Sequence, residues 1–516
     1  KHMNRVVALV AAALLVVAAL AGAAPQRALA KGLEAGKEVG TETERTDVVE
    51  INSIADLFRE IVLSRESDDA GGDFSNKKLV LTTDIDLTDT STKDFNDAII
   101  KELGSLTFGT IDHPFTGEFD GQGHTIIGLD YRRDLFVPKA NTGLFAATDG
   151  AYIHDINFRD GYIGADYRGG YIVGYSKNTT IEGVHIINCT SSVTPANNAV
   201  SLVTNAGLAG GMVVGQCEGG VIYNCEVQGG RVVCSATAAI SGLGGEGLYL
   251  GAIAGTTDYG TVIEYCRVTP YASTDKDGNA TYSYTQVHNK YDIAVGAVAG
   301  QAVYAGGIAG GINNGTQIMD CFSTADCYTG TYVSVGAGNV SYVGGIAARA
   351  NLGAEPKYKK NVIERVHYAG NLHSMQYNAV LVIPIIQYDV NLSGIVERTS
   401  GDDEIEVHDA YFNYSATKDL RSGRTIMAYG DHASGEDYGP ADDHYTDRTW
   451  WEGRNFDFEG DAERSSTYMS GKKHVNKWTM DFVNDMPVHG VSVKATLDFP
   501  GAGSVTWHVE VSAGGV

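Results

Sequence analysis

Two short signals alternate from about residue 143 to 410, and they limit the possible folds more than any other feature of the chain. The first is a glycine followed by an apolar pair: Gly143-Leu144-Phe145, Gly170-Tyr171-Ile172, Gly211-Met212-Val213, Gly251-Ala252-Ile253, Gly307-Ile308-Ala309, Gly345-Ile346-Ala347 and Gly394-Ile395-Val396. The second follows each time and places apolar residues three apart: Ile153/Ile156, Ile186/Cys189, Ile222/Cys225, Ile263/Cys266, Ile318/Cys321, Ile363/Val366 and Val407/Ala410. Self-similarity of this kind is the mark of a repeat architecture. In a straight strand, positions i and i+3 face opposite sides, so the chain must bend between them for both to point inward. The residue just before the second apolar position is Asp155, Asn188, Asn224, Tyr265, Asp320, Arg365 or Asp409. Asn and Asp tolerate left-handed backbone and bond their own main chain, which suits a tight corner. A further apolar residue two positions on (Phe158, Val227, Val268, Phe412) completes the pattern of short strand, corner, short strand.

Short strands and corners at this spacing predict the coils of a solenoid. One coil cannot bury its apolar face, whereas stacked coils can. The expected fold class is all-β, a right-handed parallel β-helix with an N-terminal capping helix and a C-terminal β-rich cap. Ser53 to Arg65 has the pattern of the helix, with Ser53 as cap and Ile54, Leu57, Phe58, Ile61 and Val62 on one face. The longest gap between repeats holds Tyr271 to Asp292, polar and Tyr-rich, an excursion from its coil. All four Trp (450, 451, 478, 507) lie near the C-terminus. The expected division is 1–30 signal peptide, 31–47 linker, 48–142 N-terminal cap and first coils, 143–415 repeats, 416–490 C-terminal cap, and 491–516 the start of a small β module.

Composition sets the location. Lys+Arg is 38 against Asp+Glu 63, a net charge of −25, so phosphates repel the chain and nucleic acid is excluded as a non-specific partner. Apolar residues make up 43%, too many for a disordered chain. Arg5, the apolar run Val6 to Ala24 and the small-x-small triplet Ala28-Leu29-Ala30 form an export signal, with Met3 as a start residue. Cleavage there leaves no stable membrane span. The expected location is extracellular or at the cell surface. No C-terminal sorting signal is read, and the abrupt end at Ser512-Ala513-Gly514-Gly515-Val516 is expected to be a truncation or a natural stop before a further module.

Phe115-Thr116-Gly117-Glu118-Phe119-Asp120-Gly121-Gln122-Gly123-His124-Thr125-Ile126 resembles the opening segment of bacterial surface proteins carrying GLUG repeats. Those proteins have an Asp-Ile-Asp-Leu strand beforehand, as at Asp84 to Leu87, and a Gly-Leu-Phe segment afterwards, as at Gly143 to Phe145. The repeat itself resembles Gly210-Gly211-Met212-Val213-Val214-Gly215 followed by Ile222-Tyr223-Asn224-Cys225. Their terminator is similar to Trp450-Trp451 through Met486-Pro487-Val488. The resemblance covers about 48–490. It implies a right-handed parallel β-helix on an exported, adhesin-like bacterial protein. Such repeats also occur beside IgA-cleaving peptidase domains.

The chemistry-bearing residues are sparse. Cys189, Cys225, Cys266 and Cys321 share a repeat position with Ile, Val and Ala, which points to stacked buried thiols. Cys217, Cys234 and Cys327 fall outside that register and are candidates for a bridge, with no pair singled out. No Cys-x-x-Cys, His-Glu-x-x-His or Gly-x-Ser-x-Gly occurs, so no metal, no cofactor and no catalytic residue is expected. His154, His185 and His408 lie near corners and are expected at the surface. Asp84, Asp86, Asp112 and Asp120 are the best carboxylate candidates for glycosidase chemistry, against the plainer expectation that they face solvent or open turns. Asp275-x-Asp277-Gly278-Asn279 is similar to a calcium loop, but Gln286 stands where the closing Glu belongs, and a hairpin turn is expected. Tyr271, Tyr282 and Tyr284 are the candidate binding residues, since aromatic faces stack on sugar rings. The functional expectation is adhesion or ligand presentation to a host or cell-surface glycan or protein, leaning away from catalysis. The alternatives are a polysaccharide lyase or glycosidase on the same fold, and an accessory region of a larger secreted enzyme.

Overall fold

The computed structural model describes residues 45–512 apart from 67–71, 92–105, 133–140, 195–207, 237–238, 242–246, 292–293, 297–301, 336–339, 352–358, 381–382, 389–390, 400–404, 414–426, 430–433, 441–443, 461–462, 466–472, 482–485 and 500–502. The expected signal peptide lies outside the described residues. Among the described residues, no helix is long and apolar enough to cross a membrane.

The fold is nearly all β and is built on three large sheets, here A, B and C, of 18, 14 and 10 strands. The chain visits them in rotation. Tyr152–His154 and Asn157–Arg159 lie in sheet A, Tyr162–Ala165 in sheet C, and Arg168–Gly169 and Val173–Lys177 in sheet B. Thr180–Glu182 then returns to sheet A and pairs in parallel with Tyr152–His154.

Repetition of this path stacks equivalent side chains into inward columns. In sheet A, Leu79, Phe119, Ile153, Ile181, Ile222, Ile263, Ile318, Ile363 and Val407 are paired in succession, each 0% exposed. Sheet B contributes Phe145, Val173, Val214, Ala254, Ala309, Ala347 and Val396. Sheet C contributes Tyr131, Ile163, Ser191, Val232, Val287, Cys327 and Leu372. These columns form one contiguous core. Parallel sheets need both faces supplied with partners, and a coil obtains the inner one only from its own other sheets and the coils above and below. At the N-terminal end the rings of Phe74, Phe108, Phe115, Phe119 and Phe145 fill the core at centroid separations of 4.9–5.9 Å.

The helix forms over Ile54–Leu63, with the Ser53 hydroxyl accepting from the Asp56 N–H. Its buried residues Ile54, Leu57 and Ile61 join the main core. Lys77 neutralises Glu60, which the same face also buries.

All seven corner residues, Asp155, Asn188, Asn224, Tyr265, Asp320, Arg365 and Asp409, have positive φ of 47° to 54°. Two registers differ from the sequence expectation. In the coil after Ile153 the counterparts of Ile153 and Ile156 are Ile181 and Val184, with Gly183 (φ 61°) at the corner. Asn188 and Cys189 belong to the next corner, because Ile186 pairs with Phe158 and Val227. A corner made by glycine left no Asn or Asp to read, and the following corner supplied one. Only Cys225, Cys266 and Cys321 therefore share the stacked position.

The second difference concerns the glycines of sheet B. Gly251, Gly306 and Gly344 pair with one another, one residue ahead of the expected Gly307 and Gly345. A Cβ on Gly170, Gly211, Gly251, Gly306 or Gly344 would lie 2.3, 2.4, 2.1, 1.9 or 1.8 Å from the carbonyl oxygen three residues on. A side chain is excluded there by contact, whatever the φ.

Seven free, buried thiols are present. Cys217 points inward from sheet B, and Cys234 and Cys327 occupy different columns of sheet C. The candidate bridge among these three is not formed: Cys327 lies between Val287 and Leu372, Cys217 between Ser176 and Thr257, and Cys234 beside Asn289.

The C-terminal segment leaves the coils. The described residues of 444–490 lie across the outward side of sheet A. One outward column there runs Asn157, His185, Glu226, Arg267, Phe322, His367, Tyr411. It is polar in the earlier coils and aromatic in the last three. Trp451, Trp478, Tyr445, Phe456, Phe458, Met480, Met486 and Val488 cover Phe322 and Tyr411 as a second core. Met486–His489 pairs antiparallel with Trp478–Asp481, and Gly490–Phe499 continues into an antiparallel hairpin with Gly503–Ser512.

Candidate functional site

The outward side of sheet A in the early coils carries a dense group of ionisable side chains. Lys78, Glu118 and Tyr152 are paired neighbours in one outward column, and Val80, Asp120 and His154 in the next. Strand alternation turns both rows away from the core residues Leu79, Phe119 and Ile153. Lys78 Nζ lies 2.7 Å from Glu118 and 2.8 Å from Asp120. Arg45 lies 2.9 Å from the other Glu118 oxygen. His154 Nε2 sits 3.3 Å from Glu118, and its Nδ1 is 2.9 Å from Asp155. The His154 ring stacks on Tyr152 at 4.3 Å.

Burial would raise the Glu118 carboxyl, but its contacts with His154 and Lys78 outweigh that and hold it at about 2. Burial likewise opposes ionisation of Asp120, and Lys78 and Gln122 still bring it below the usual range. His154 would be lowered by burial; the carboxylates of Asp155, Glu118 and Asp120 raise it to about 9. Lys78 is also raised, its desolvation overcome by Asp120 and Glu118.

Glu118, Asp120 and His154 offer three donor atoms within 4.8 Å of one another, a spacing that could hold a metal ion. The chemistry of the set argues otherwise. His154 is an imidazolium at neutral pH with both nitrogens committed to carboxylates, so it has no lone pair to give. The Lys78 ammonium already bridges the two acids. Nor does the carboxylate pair divide into acid and base: glycoside hydrolysis needs one carboxyl protonated, and both are ionised. The group is a compensated ion network, worth more for positioning than for proton transfer.

The remaining sequence candidates are dispersed. Asp84 accepts from the Thr125 N–H at 2.9 Å and faces His124 at 3.2 Å. Asp86 caps the turn at Thr88, and Asp112 is exposed. Asp120 accepts from the Gln122 N–H, the turn role expected of it, in addition to its place in the network. His154 corrects the expectation of a surface residue: it is 8% exposed, whereas His185 and His408 are half-buried. Their neighbours in sequence are similar; what separates His154 is Glu118, one coil away, which no local pattern announces.

Tyr271–Thr274 and Ala280–Ser283 form an antiparallel hairpin that stands off its coil. Asp275 closes the tip by accepting from the N–H groups of Asp277 and Asn279, both at 2.8 Å, so the calcium-like string is a turn. Tyr282 is 46% and Tyr284 48% exposed. Tyr282 lies in the second strand of the hairpin and Tyr284 one residue beyond its end. Tyr271 sits opposite Ser283 on the other face, half-buried against Gly229. Of the three tyrosines, Tyr282 and Tyr284 are thus exposed and Tyr271 is half-buried.

No family model matches the chain, and no curated protein matches it. Among solved structures it is similar to that of a putative immunoglobulin A1 protease from Bacteroides ovatus, 14% identical, with 88% of this chain and 94% of that one covered and a TM-score of 0.40. A likeness at that TM-score carries no argument about this chain. The GLUG-repeat resemblance rests on the quoted motifs alone.

Proposed function

We propose that this chain is an exported bacterial cell-surface or secreted protein of the GLUG-repeat kind, a right-handed parallel β-helix that presents ligand-binding loops without catalysing a reaction. The observation that carries this reading is the hairpin of Tyr271 to Ser283, which holds Tyr282 exposed, with Tyr284 exposed just beyond its second strand. A phenol ring gives a ligand apolar area at low entropic cost. The hairpin is closed by its own turn chemistry at Asp275. Against catalysis stands the ion network of Glu118, Asp120, His154 and Lys78, which has neither a protonated carboxyl nor a neutral base at pH 7.

The test is a binding screen of the intact chain against glycans and host matrix proteins, repeated with Tyr282→Ala/Tyr284→Ala. The reading expects a ligand whose binding falls at least tenfold in the double variant while the circular dichroism stays unchanged. A ligand bound equally well by the variant removes the hairpin as the site. Polysaccharide cleavage by the intact chain would remove the non-catalytic assignment.

A further inference from the structure

The segment that crosses sheet A is clamped by two histidines working in opposite directions. His367 belongs to the coils, and its Nε2–H donates to the Pro487 carbonyl of the segment at 2.7 Å. His489 belongs to the segment, and its Nε2–H donates to the Asp320 carbonyl at a coil corner at 2.8 Å. Both rings are 0% exposed. Both Nδ1 atoms are buried and have no hydrogen-bond partner.

We propose that the described residues of 444–490 form an acid-released strap, in which protonation of His367 and His489 detaches them from sheet A and uncovers the aromatic column Phe322, His367 and Tyr411 while the coils stay folded.

A carbonyl can only accept, so each ring is docked as the neutral Nε2–H tautomer with an empty Nδ1. A proton arriving at Nδ1 would create a buried cation with nothing to bond it. Around His367 stand the rings of Phe322, Tyr445, Trp451 and Trp478, none of them charged. Around His489 stand Tyr265 at 3.9 Å, Phe322 and Trp478. The nearest charges are already committed. Arg267 is held by Glu226, and Arg365 holds Asp320. Asn476 donates to both Glu264 and Asp320, and the Tyr265 hydroxyl lies 2.6 Å from the Lys477 carbonyl. Asp457, near Tyr265, accepts from the Gly460 N–H, and among the described residues no carboxylate side chain forms an ion pair with either ring. Burial lowers His367 to about 3, and burial together with Arg267 brings His489 well below its ordinary value. His444 stacks on Trp450 at the rim of the segment, half-buried, and is not part of the clamp.

A histidine with a depressed docked pKa stabilises docking fully above its free value, and that stabilisation is lost as pH falls below it. With a free value of about 6.5, each ring weakens docking about tenfold per pH unit below that point, so the pair weakens it about a hundredfold per unit.

The experiment follows backbone hydrogen exchange of the intact chain from pH 7.5 to 5, expressed as protection factors, with Trp emission recorded in parallel. Protection of 473–481 and 486–490 is expected to fall about a hundredfold per unit below pH 6.5, with a red shift from Trp451 and Trp478, while Ile222, Ile263 and Ile318 remain protected. His367→Gln/His489→Gln, which keeps a donor near Nε2 but does not titrate, is expected to abolish the slope. Each single variant should leave a tenfold slope, which tests the proposal if the double variant fails to fold. Protection of the segment that is unchanged to pH 5, or lost only together with the coils, overturns it.

Discussion

Replacing Arg365 with Met should cost about 3–5 kcal/mol, because it strands a charge that the fold has sealed away. Asp320 is 0% and Arg365 5% exposed. The guanidinium reaches both carboxylate oxygens, Nε at 2.8 Å from Oδ1 and Nη2 at 3.1 Å from Oδ2. Without it, Asp320 keeps the Asn476 amide at 2.9 Å, which it shares with the acid Glu264. Met matches the length of the lost aliphatic stem, so the loss is mainly electrostatic. Both residues stand at corners with positive φ, 49° and 51°, and Met keeps that strain unchanged to within a few tenths of a kcal/mol. The assay is urea unfolding at pH 7 followed by Trp emission and far-UV circular dichroism. Asp320→Asn should cost less than Arg365→Met, and adding it to Arg365→Met should recover about half of the loss or more, the signature of a coupled pair. Additive losses, or a cost below about 1 kcal/mol for Arg365→Met, would refute the view that this pair is sealed between the coils and the C-terminal segment.

Other outcomes follow from the same geometry. Gly344→Ala should destabilise by more than about 2 kcal/mol in thermal or urea unfolding, because the new Cβ would sit 1.8 Å from the Ala347 carbonyl; Gly260→Ala, where nothing lies within 4 Å, should cost only its positive-φ penalty of about 1 kcal/mol. Glu118 is held at about 2 in the folded chain, so its contribution, on the order of 3 kcal/mol, is present above the unfolded value near 4.5 and lost as pH falls toward 2; Glu118→Gln should flatten stability over that window. His154 is raised to about 9, so its contribution is complete below about 6.5 and lost as pH rises through 9; His154→Gln should remove that alkaline loss. None of the seven thiols should react with a maleimide in native buffer over an hour, and all seven should react in 6 M guanidinium, read by intact mass; labelling of Cys225, Cys266 or Cys321 in the native chain would contradict their burial.

The repeat was legible because its two requirements leave marks in single residues. An inward residue on each side of a bend shows as an i, i+3 apolar pair, and the bend shows as Asn or Asp. Tyr265 and Arg365 break that rule yet take the same φ, and each is explained by a partner beyond its own coil: the Lys477 carbonyl for Tyr265, Asp320 for Arg365. The Gly183 corner was missed because glycine is spread through this chain and marks no position by itself. The Glu118–His154 contact and the crossing of 444–490 over sheet A were illegible for a different reason, since both join residues whose separation no periodicity encodes. One trace of the crossing did exist. The residue following Cys321, Val366 and Ala410 is Phe322, His367 and Tyr411, where the earlier coils carry Glu226 and Arg267. An outward column that turns aromatic needs a cover, and the tryptophans at 450, 451 and 478 were the available material.

The parallel register of the coils carries the rest, and methyl–methyl nuclear Overhauser contacts along the sheet A column test it most directly. With Ile δ1 methyls labelled in a deuterated chain, Ile181, Ile222, Ile263, Ile318 and Ile363 should show cross-peaks between consecutive members, about 5 Å apart, and weak or none between members two coils apart, at about 10 Å. Strong contacts that skip a member, or none between Ile222 and Ile263, would contradict the stack.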